Sequence, residues 1–394
     1  MEKNRLQVEL DRLRGAGSAV LDLIDTNFHR NGIRFPEALL KPLFDGYLAE
    51  RGYAPDSKGD AAARESISAY YASHGVRLPP ADLLITASSS ESYNLLFNNL
   101  TEPGDNLLLP SPTYPLFEFL AQFNHLEVRS YRMRRRDSYA IDFDSLASSF
   151  DERTRFVVLI SPNNPTGQIV SETEVRLLLD LCERHGVALI VDEVFSEFTY
   201  PRVGEEGTPS GIELPRPAAF DSPVPVFTLN GISKMFACPD LKLGWIGVSG
   251  GRAGRAELVE TLEVANDVFL SASSLAQHIL PGLFAQGGEF VRGMVATLRR
   301  RRDLLVSMVA GSSGIDLVPP MGGIHCPLRF SRDLVADDEE LALRLLKECS
   351  LYLHPGYFYG FEEEAGSLFA VVTFLLEDSR LRDGLGRLLE FVKG

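Results

Sequence analysis

An α/β architecture is predicted for this chain: a large domain with a mostly parallel sheet covered by helices, plus a smaller α/β domain from the C-terminal part and the N-terminal segment. Three observations predict it. From about Ala81 to Gly250 short apolar runs alternate with amphipathic segments, as strands joined by covering helices do. Within that stretch Phe156–Ile160 and Val187–Val191 are continuously apolar, which suits strands buried on both faces. Beyond about Leu280 the pattern shifts to a long basic amphipathic segment and then to shorter strand and helix signals, so a second core is expected. The expected boundaries are an N-terminal segment over 1–45 packing with the small domain, a large domain over 46–285 and the small domain over 286–394.

Taken in order, Leu83–Thr86 reads as a strand, and Tyr93, Leu96, Phe97 and Leu100 mark a helix that begins at Ser88-Ser89-Ser90-Glu91. The clearest unit is Arg155–Asp192. Asn163–Gly167 breaks its first strand, Ser171 and Glu174 have capping-box spacing, and Val175, Leu178, Leu179 and Cys182 recur on one helical face. Gly186 ends that helix, and the second strand returns as a βαβ crossover. Tyr200–Pro225, rich in Pro, Gly and Ser, reads as an irregular surface excursion tolerant of change. The C-terminal part is expected to hold a helix over Glu289–Val309, a strand near Gly322–Phe330, a helix over Asp337–Glu348, and strands near Leu351 and at Leu368–Phe374.

Composition excludes several functions. With 394 residues, 45% hydrophobic and 24% charged, the chain is an ordinary globular one able to bury one large core or two unequal ones. A formal net charge of -15 argues against a nucleic-acid or anionic-membrane binder. Two basic runs, Arg132 with Arg134–Arg136 and Arg299–Arg302, lack interleaved aromatics and read as solvated faces. Cys182, Cys238, Cys326 and Cys349 form no CxxC pair and suit reduced thiols of a cytoplasmic protein. The seven histidines show no zinc spacing, so no metal site is expected. Met1–Arg14 lacks the apolar run of a secretory signal, and no stretch approaches a membrane span.

The chemistry gathers at three places. Thr228-Leu229-Asn230-Gly231-Ile232-Ser233-Lys234 is a strand that delivers a lysine into a turn, a way to present an amine. Asp192 ends a buried strand, and Asn164 lies in Asn163-Asn164-Pro165-Thr166-Gly167. One crossover helix fits between Asn164 and Asp192, so both side chains reach one crevice at the strand ends. Alone, each has an ordinary structural reading: a surface charge, a strand-end cap and a turn.

As an ordered set, with Lys242-Leu243-Gly244-Trp245 following, they resemble the class I/II pyridoxal-phosphate aminotransferases, the aspartate aminotransferase-like proteins of fold type I. The resemblance is strong from about Tyr53 through Trp245 and weaker to the end. It implies pyridoxal phosphate as cofactor, a homodimer, and transfer of an amino group between an amino donor and a keto acceptor. Lys234 would form the Schiff base and act as general base, and Asp192 would hold the pyridine nitrogen protonated. Asn164 would donate to the ring phenolate, while Ser89 and Ser90 at a helix N-terminus, with Ser233 and Lys242, would hold the phosphate. Tyr114 would stack on the ring, and Tyr53 would reach a phosphate across the dimer interface.

Four positions depart from the family pattern. Gly231 stands for a serine, Lys242 for the phosphate-binding arginine, Phe195 for a tyrosine and Val371 for the arginine that clamps a substrate carboxylate. A clamp is therefore sought elsewhere: Arg34 in the N-terminal segment first, Arg329 second, with Asn27 as a further substrate-binding candidate. The same residues would also serve a pyridoxal-phosphate-dependent C-S β-lyase. A non-catalytic regulatory protein retaining the fold is the remaining alternative, and intact Lys234, Asp192 and Asn164 argue against it.

Overall fold

The computed structural model describes residues 4–135, 138–202, 212–251, 254–270, 272–361 and 367–393. Of the residues singled out above, Met1, Arg136 and residues 203–211 of the Tyr200–Pro225 stretch lie outside them.

The large domain is built on an eight-stranded sheet. From one edge to the other its strands are Leu83–Thr86, Gly244–Gly250, Pro225–Gly231, Ala188–Asp192, Thr154–Ile160, Asn106–Ser111, Glu127–Arg135 and Tyr139–Ile141. The five from Pro225–Gly231 through Glu127–Arg135 pair in parallel; Gly244–Gly250 runs antiparallel to both neighbours, as does Tyr139–Ile141 to its single one. The central strands are buried along nearly their whole length because helices cover both faces, hence their unbroken apolar runs. The crossover helix Glu172–His185 carries the capping box at Ser171 and Glu174, and Gly186 closes it with φ +64.

The smaller domain has a four-stranded antiparallel sheet in the order Ile315–Leu317, His325–Ser331, Ser367–Thr373, His354–Pro355. Helices Gly288–Val309, Asp338–Cys349 and Asp378–Lys393 pack around it. The N-terminal segment joins this core, with Leu21–Asp22 pairing in parallel with Leu351–Tyr352 and Leu6, Leu10, Leu23, Phe28 and Ile33 buried in the same cluster as Leu345 and Phe374. The described residues up to 45 pack in two places. Phe35 is buried edge-on to Phe236 and Phe290, and Leu39, Leu40, Leu43 and Phe44 pack on the cluster holding Tyr71 and Trp245, so the helix Glu37–Ala49 goes with the large domain.

Two sequence expectations are corrected by burial. Within Tyr200–Pro225 the described residues are not all on the surface: Tyr200 is fully buried with its hydroxyl donating to the Gly323 carbonyl at 2.8 Å and Arg216 is buried beside Glu193, whereas Arg202, Glu213, Ala219, Asp221 and Pro223 are exposed. Likewise Arg301 and Arg302 are buried, not a solvated face. Arg301 donates to the Leu375 carbonyl at 2.5 Å and Arg302 to the carbonyls of Pro320 at 3.1 Å and Pro201 at 2.9 Å, so both guanidiniums tie loops together.

Candidate active site

The C-terminal ends of the strands ending at Thr86, Ser111, Ile160, Asp192 and Gly231 share one edge of the large sheet, the place where open α/β sheets bind ligands. A cavity of about 500 Å³ lies there, against the small domain. The domains meet across it where the Thr113 N–H donates to the Tyr359 carbonyl at 2.8 Å and the Ser111 hydroxyl to the Gly360 carbonyl at 2.6 Å.

Lys234 lines this cavity from the one-turn helix Ile232–Met235 that follows the strand, not from a turn as the sequence suggested. Burial, and then the charge of Lys242, lower its pKa, which favours the free amine. Its Nζ stands 5.7 Å from the centre of the Phe28 ring. Gly231 precedes that helix for a steric reason: a Cβ there would lie 2.6 Å from the Leu243 carbonyl oxygen, so a serine would need the backbone to move.

Asp192 is 5% exposed and accepts from the Val194 N–H at 3.0 Å and the Tyr93 hydroxyl at 3.1 Å. Burial pushes its carboxyl up to about 6 against the pull of those two bonds, because no cation faces it among the described residues. Asn164 lines the cavity as well, and its side-chain oxygen is buried without a hydrogen-bond partner. A buried amide left in that state is costly unless a ligand engages it.

Ser88 caps the helix Ser89–Leu100, accepting from the Glu91 N–H at 3.1 Å, and Ser88, Ser89 and Ser90 all line the cavity. Gly244 lets the neighbouring strand touch this loop, since a Cβ there would meet Ser88 and Ser89 backbone atoms at 2.8 and 2.9 Å. Ser233 and Lys242 complete this corner. Lys242 is held at φ 48, a left-handed conformation uncommon for a side-chain-bearing residue. Tyr114 and Phe195 also line the cavity.

These groups fit pyridoxal phosphate. They offer a desolvated amine, a buried carboxylate with no cation facing it among the described residues, a side-chain amide at the cavity wall, and a helix N-terminus with a lysine for a dianion.

The other substrate and interface candidates are placed elsewhere. Arg34 and Asn27 are exposed and do not line the cavity; the Asn27 side chain accepts from the Arg30 N–H at 2.9 Å within its own turn. Arg329 lies on the small sheet, 3.1 Å from Asp316. Tyr53 is 80% exposed and borders a separate hollow with Leu270 and Gln277. Conversely, sequence reasoning missed Tyr93, His325, His354 and Tyr359 as cavity residues. Tyr93 was visible only as an apolar helix position, and the others come from strands and turns of the second domain whose approach no local pattern announces.

Comparison with known proteins agrees with the geometry. A family model described as aminotransferase class I and II matches residues 49–369. The chain is 26% identical over 362 residues to the tyrosine aminotransferase of Dictyostelium discoideum, covering 88% of this chain and 81% of that one. It is 26% identical to the tyrosine aminotransferase of Mus musculus, over 86% of this chain and 73% of that protein. Among solved structures, alanine aminotransferase from Pyrococcus furiosus superposes with a TM-score of 0.90 at 23% identity, covering 98% and 96% of the two chains, which shows a common fold. The chain belongs to the aminotransferase class I and II family and is a pyridoxal-phosphate-dependent transaminase.

Proposed function

We propose that the chain works as a cytoplasmic homodimer that moves an amino group from an amino donor to an oxo acceptor, with Lys234 as the proton-transferring amine and Asp192, Asn164, Tyr114, Ser89, Ser90, Ser233 and Lys242 as the cofactor's holders. The observation that carries this reading is the convergence of Lys234, Asp192 and Asn164 on one cavity from three strand ends, each with unmet electrostatic or hydrogen-bonding capacity. When bound, pyridoxal phosphate supplies an electron sink that stabilises negative charge at the substrate's amine-bearing carbon. The residues do the rest. Lys234, whose pKa burial and Lys242 lower, is the base that takes the proton from that carbon. Asp192 supplies a fixed negative charge at the buried end of the site, and Lys242 with the helix N-terminus at Ser89 a positive one at the other.

The dimer is supported by exposed apolar side chains, Leu48, Tyr53, Val264, Val268, Phe269 and Leu270, of which Tyr53 and Leu270 border one hollow. The four cysteines, none in a disulfide, suit a reducing compartment. Among the described residues no helix is long and apolar enough to cross a membrane.

Purified protein mixed with pyridoxal phosphate should bind it with a visible absorbance band, and borohydride reduction followed by peptide mapping should leave the phosphopyridoxyl group on Lys234. Labelling of another lysine, or none with cofactor bound, rejects the assignment. Sedimentation should give twice the chain mass, and a monomer would remove the role given to Tyr53.

A further inference from the structure

The two walls of the cavity differ in charge. Lys234 and Lys242 stand on the large-domain wall, whereas the small-domain wall is formed by Ile24, Ile324, His325, His354 and Tyr359. Among the described residues no arginine lines the cavity. His354 pairs across the small sheet with Val371, which is fully buried against Ile24 and Tyr359. The His354 Nδ1 lies 3.1 Å from the Tyr359 hydroxyl. His325 is 7% exposed, and its ring stands edge-on to Phe195 with centres 6.5 Å apart.

A carboxylate brought against this wall must shed its water and find a cation in return. Valine offers nothing, and the imidazoles resist charging. Burial holds His354 down at about 4, and burial with the charges of Lys234 and His354 holds His325 at about 3. Protonating either at pH 7 is therefore disfavoured by roughly a thousandfold or more, while one charged hydrogen bond returns only about ten to a hundredfold. A neutral imidazole, by contrast, presents one donor and one acceptor without any charging cost.

We propose that His325 and His354 set the specificity of this transaminase, and that its preferred amino donor is a primary amine whose amine-bearing carbon carries an uncharged hydrogen-bonding group, such as hydroxymethyl or carboxamide, where an amino acid carries its carboxylate. The inference rests on the transaminase reading. In the overall exchange the donor's CH–NH2 becomes C=O and the acceptor's C=O becomes CH–NH2, so atoms and electrons balance between the two. One wall serves both halves, and the acceptor is accordingly a ketone or aldehyde of the same neutral class.

The test uses two matched pairs on the cofactor-loaded protein, L-alaninol against L-alanine and L-tyrosinol against L-tyrosine, each differing only in CH2OH for the carboxylate. The donor alone should change the absorbance of the bound cofactor, and the half-saturating concentration should be at least about tenfold lower for the amino alcohol in both pairs. Equal values, or lower ones for the amino acids, overturn the proposal. No spectral change with any of the four overturns the transaminase reading itself, a different failure. His325→Phe and His354→Phe should each reduce the alcohol-to-acid preference by weakening the alcohol selectively; loss of both members in equal measure would deny the pair its role. Val371→Arg should shift the ratio toward the amino acids, and if that buried change prevents folding, the wild-type pairs still decide.

Discussion

Asp192 and Glu193 are adjacent, both carboxylates, both almost fully buried, and they have opposite fates. Asp192 lines the cavity and, among the described residues, accepts from a backbone N–H and the Tyr93 hydroxyl. Glu193, on the residue after the strand ends, pairs with the buried guanidinium of Arg216, which also donates to the Tyr70 hydroxyl at 3.1 Å and lies 5.5 Å from the ring centres of Tyr70 and Tyr71. Burial by itself would lower the Arg216 pKa, and the charge of Glu193 together with Tyr70 and Tyr71 more than reverses that. One carboxylate is already neutralised within the chain and serves the fold. The other lacks a cation and is available to a ligand that brings one. Burial alone does not mark a functional acid; burial without a protein partner, at a cavity, does.

The largest effect belongs to the cavity side. Lys234→Ala removes the amine that moves the proton, a contribution of about a hundred- to ten-thousandfold for a positioned base, before loss of covalent attachment is added. Transamination should fall at least about a thousandfold while the circular dichroism and the urea midpoint stay near wild type. A variant that keeps a tenth of the activity would move the chemistry to another residue.

Arg216→Ala tests the paired side. Leaving Glu193 buried and alone should cost about 3–5 kcal/mol of stability, read as a lower urea midpoint at unchanged slope. Replacing both members by apolar residues of similar size should recover much of that loss. If Arg216→Ala is neutral, the pair is not what holds this end of the strand.

Much of this site was legible in the sequence, for a physical reason. Lys234, Asn164, Asp192 and Ser88–Ser90 sit where a strand stops or a helix starts, and those junctions leave local signatures in apolar runs, turn residues and caps. The pairing of Glu193 with Arg216 was not legible, because Arg216 lies in a stretch whose Pro and Gly content reads as surface loop. His325 and His354 were invisible for a related reason: each is the first residue of a strand with no local pattern to mark it, and only the packing of two domains brings them to one wall. Gly231 was seen as a departure, but the Leu243 carbonyl that requires it is seen only in three dimensions.

The pH dependence of Asp192 sharpens the comparison further. Its folded pKa of about 6 exceeds the ordinary aspartate value of 3.8, so between those values the folded state holds a proton that the unfolded state has lost. Stability of the cofactor-free protein is therefore undiminished by this group below about pH 4, falls as pH rises toward 6, and levels off above it. The total is at most about 3 kcal/mol. Urea titrations of wild type against Asp192→Asn across this range should show the variant gaining on wild type as pH rises. Parallel curves would mean that Asp192 is not isolated from cations after all.

The smallest effect is expected at Arg34, and its smallness is informative. The sequence made Arg34 the first candidate to hold a substrate carboxylate in place of the arginine that Val371 displaces. In the fold its side chain is exposed and outside the cavity. An exposed guanidinium acts on a ligand through water and salt, where such attractions are worth about 0–1 kcal/mol, whereas a clamp within the cavity would be worth about ten to a hundredfold in affinity. Arg34→Ala should thus change the half-saturating concentration of any amino donor by less than about threefold, with and without a carboxylate alike. A selective loss for amino acids of tenfold or more would show that the N-terminal segment moves into the site when substrate binds, and would return a positive charge to a wall that the resting structure leaves neutral.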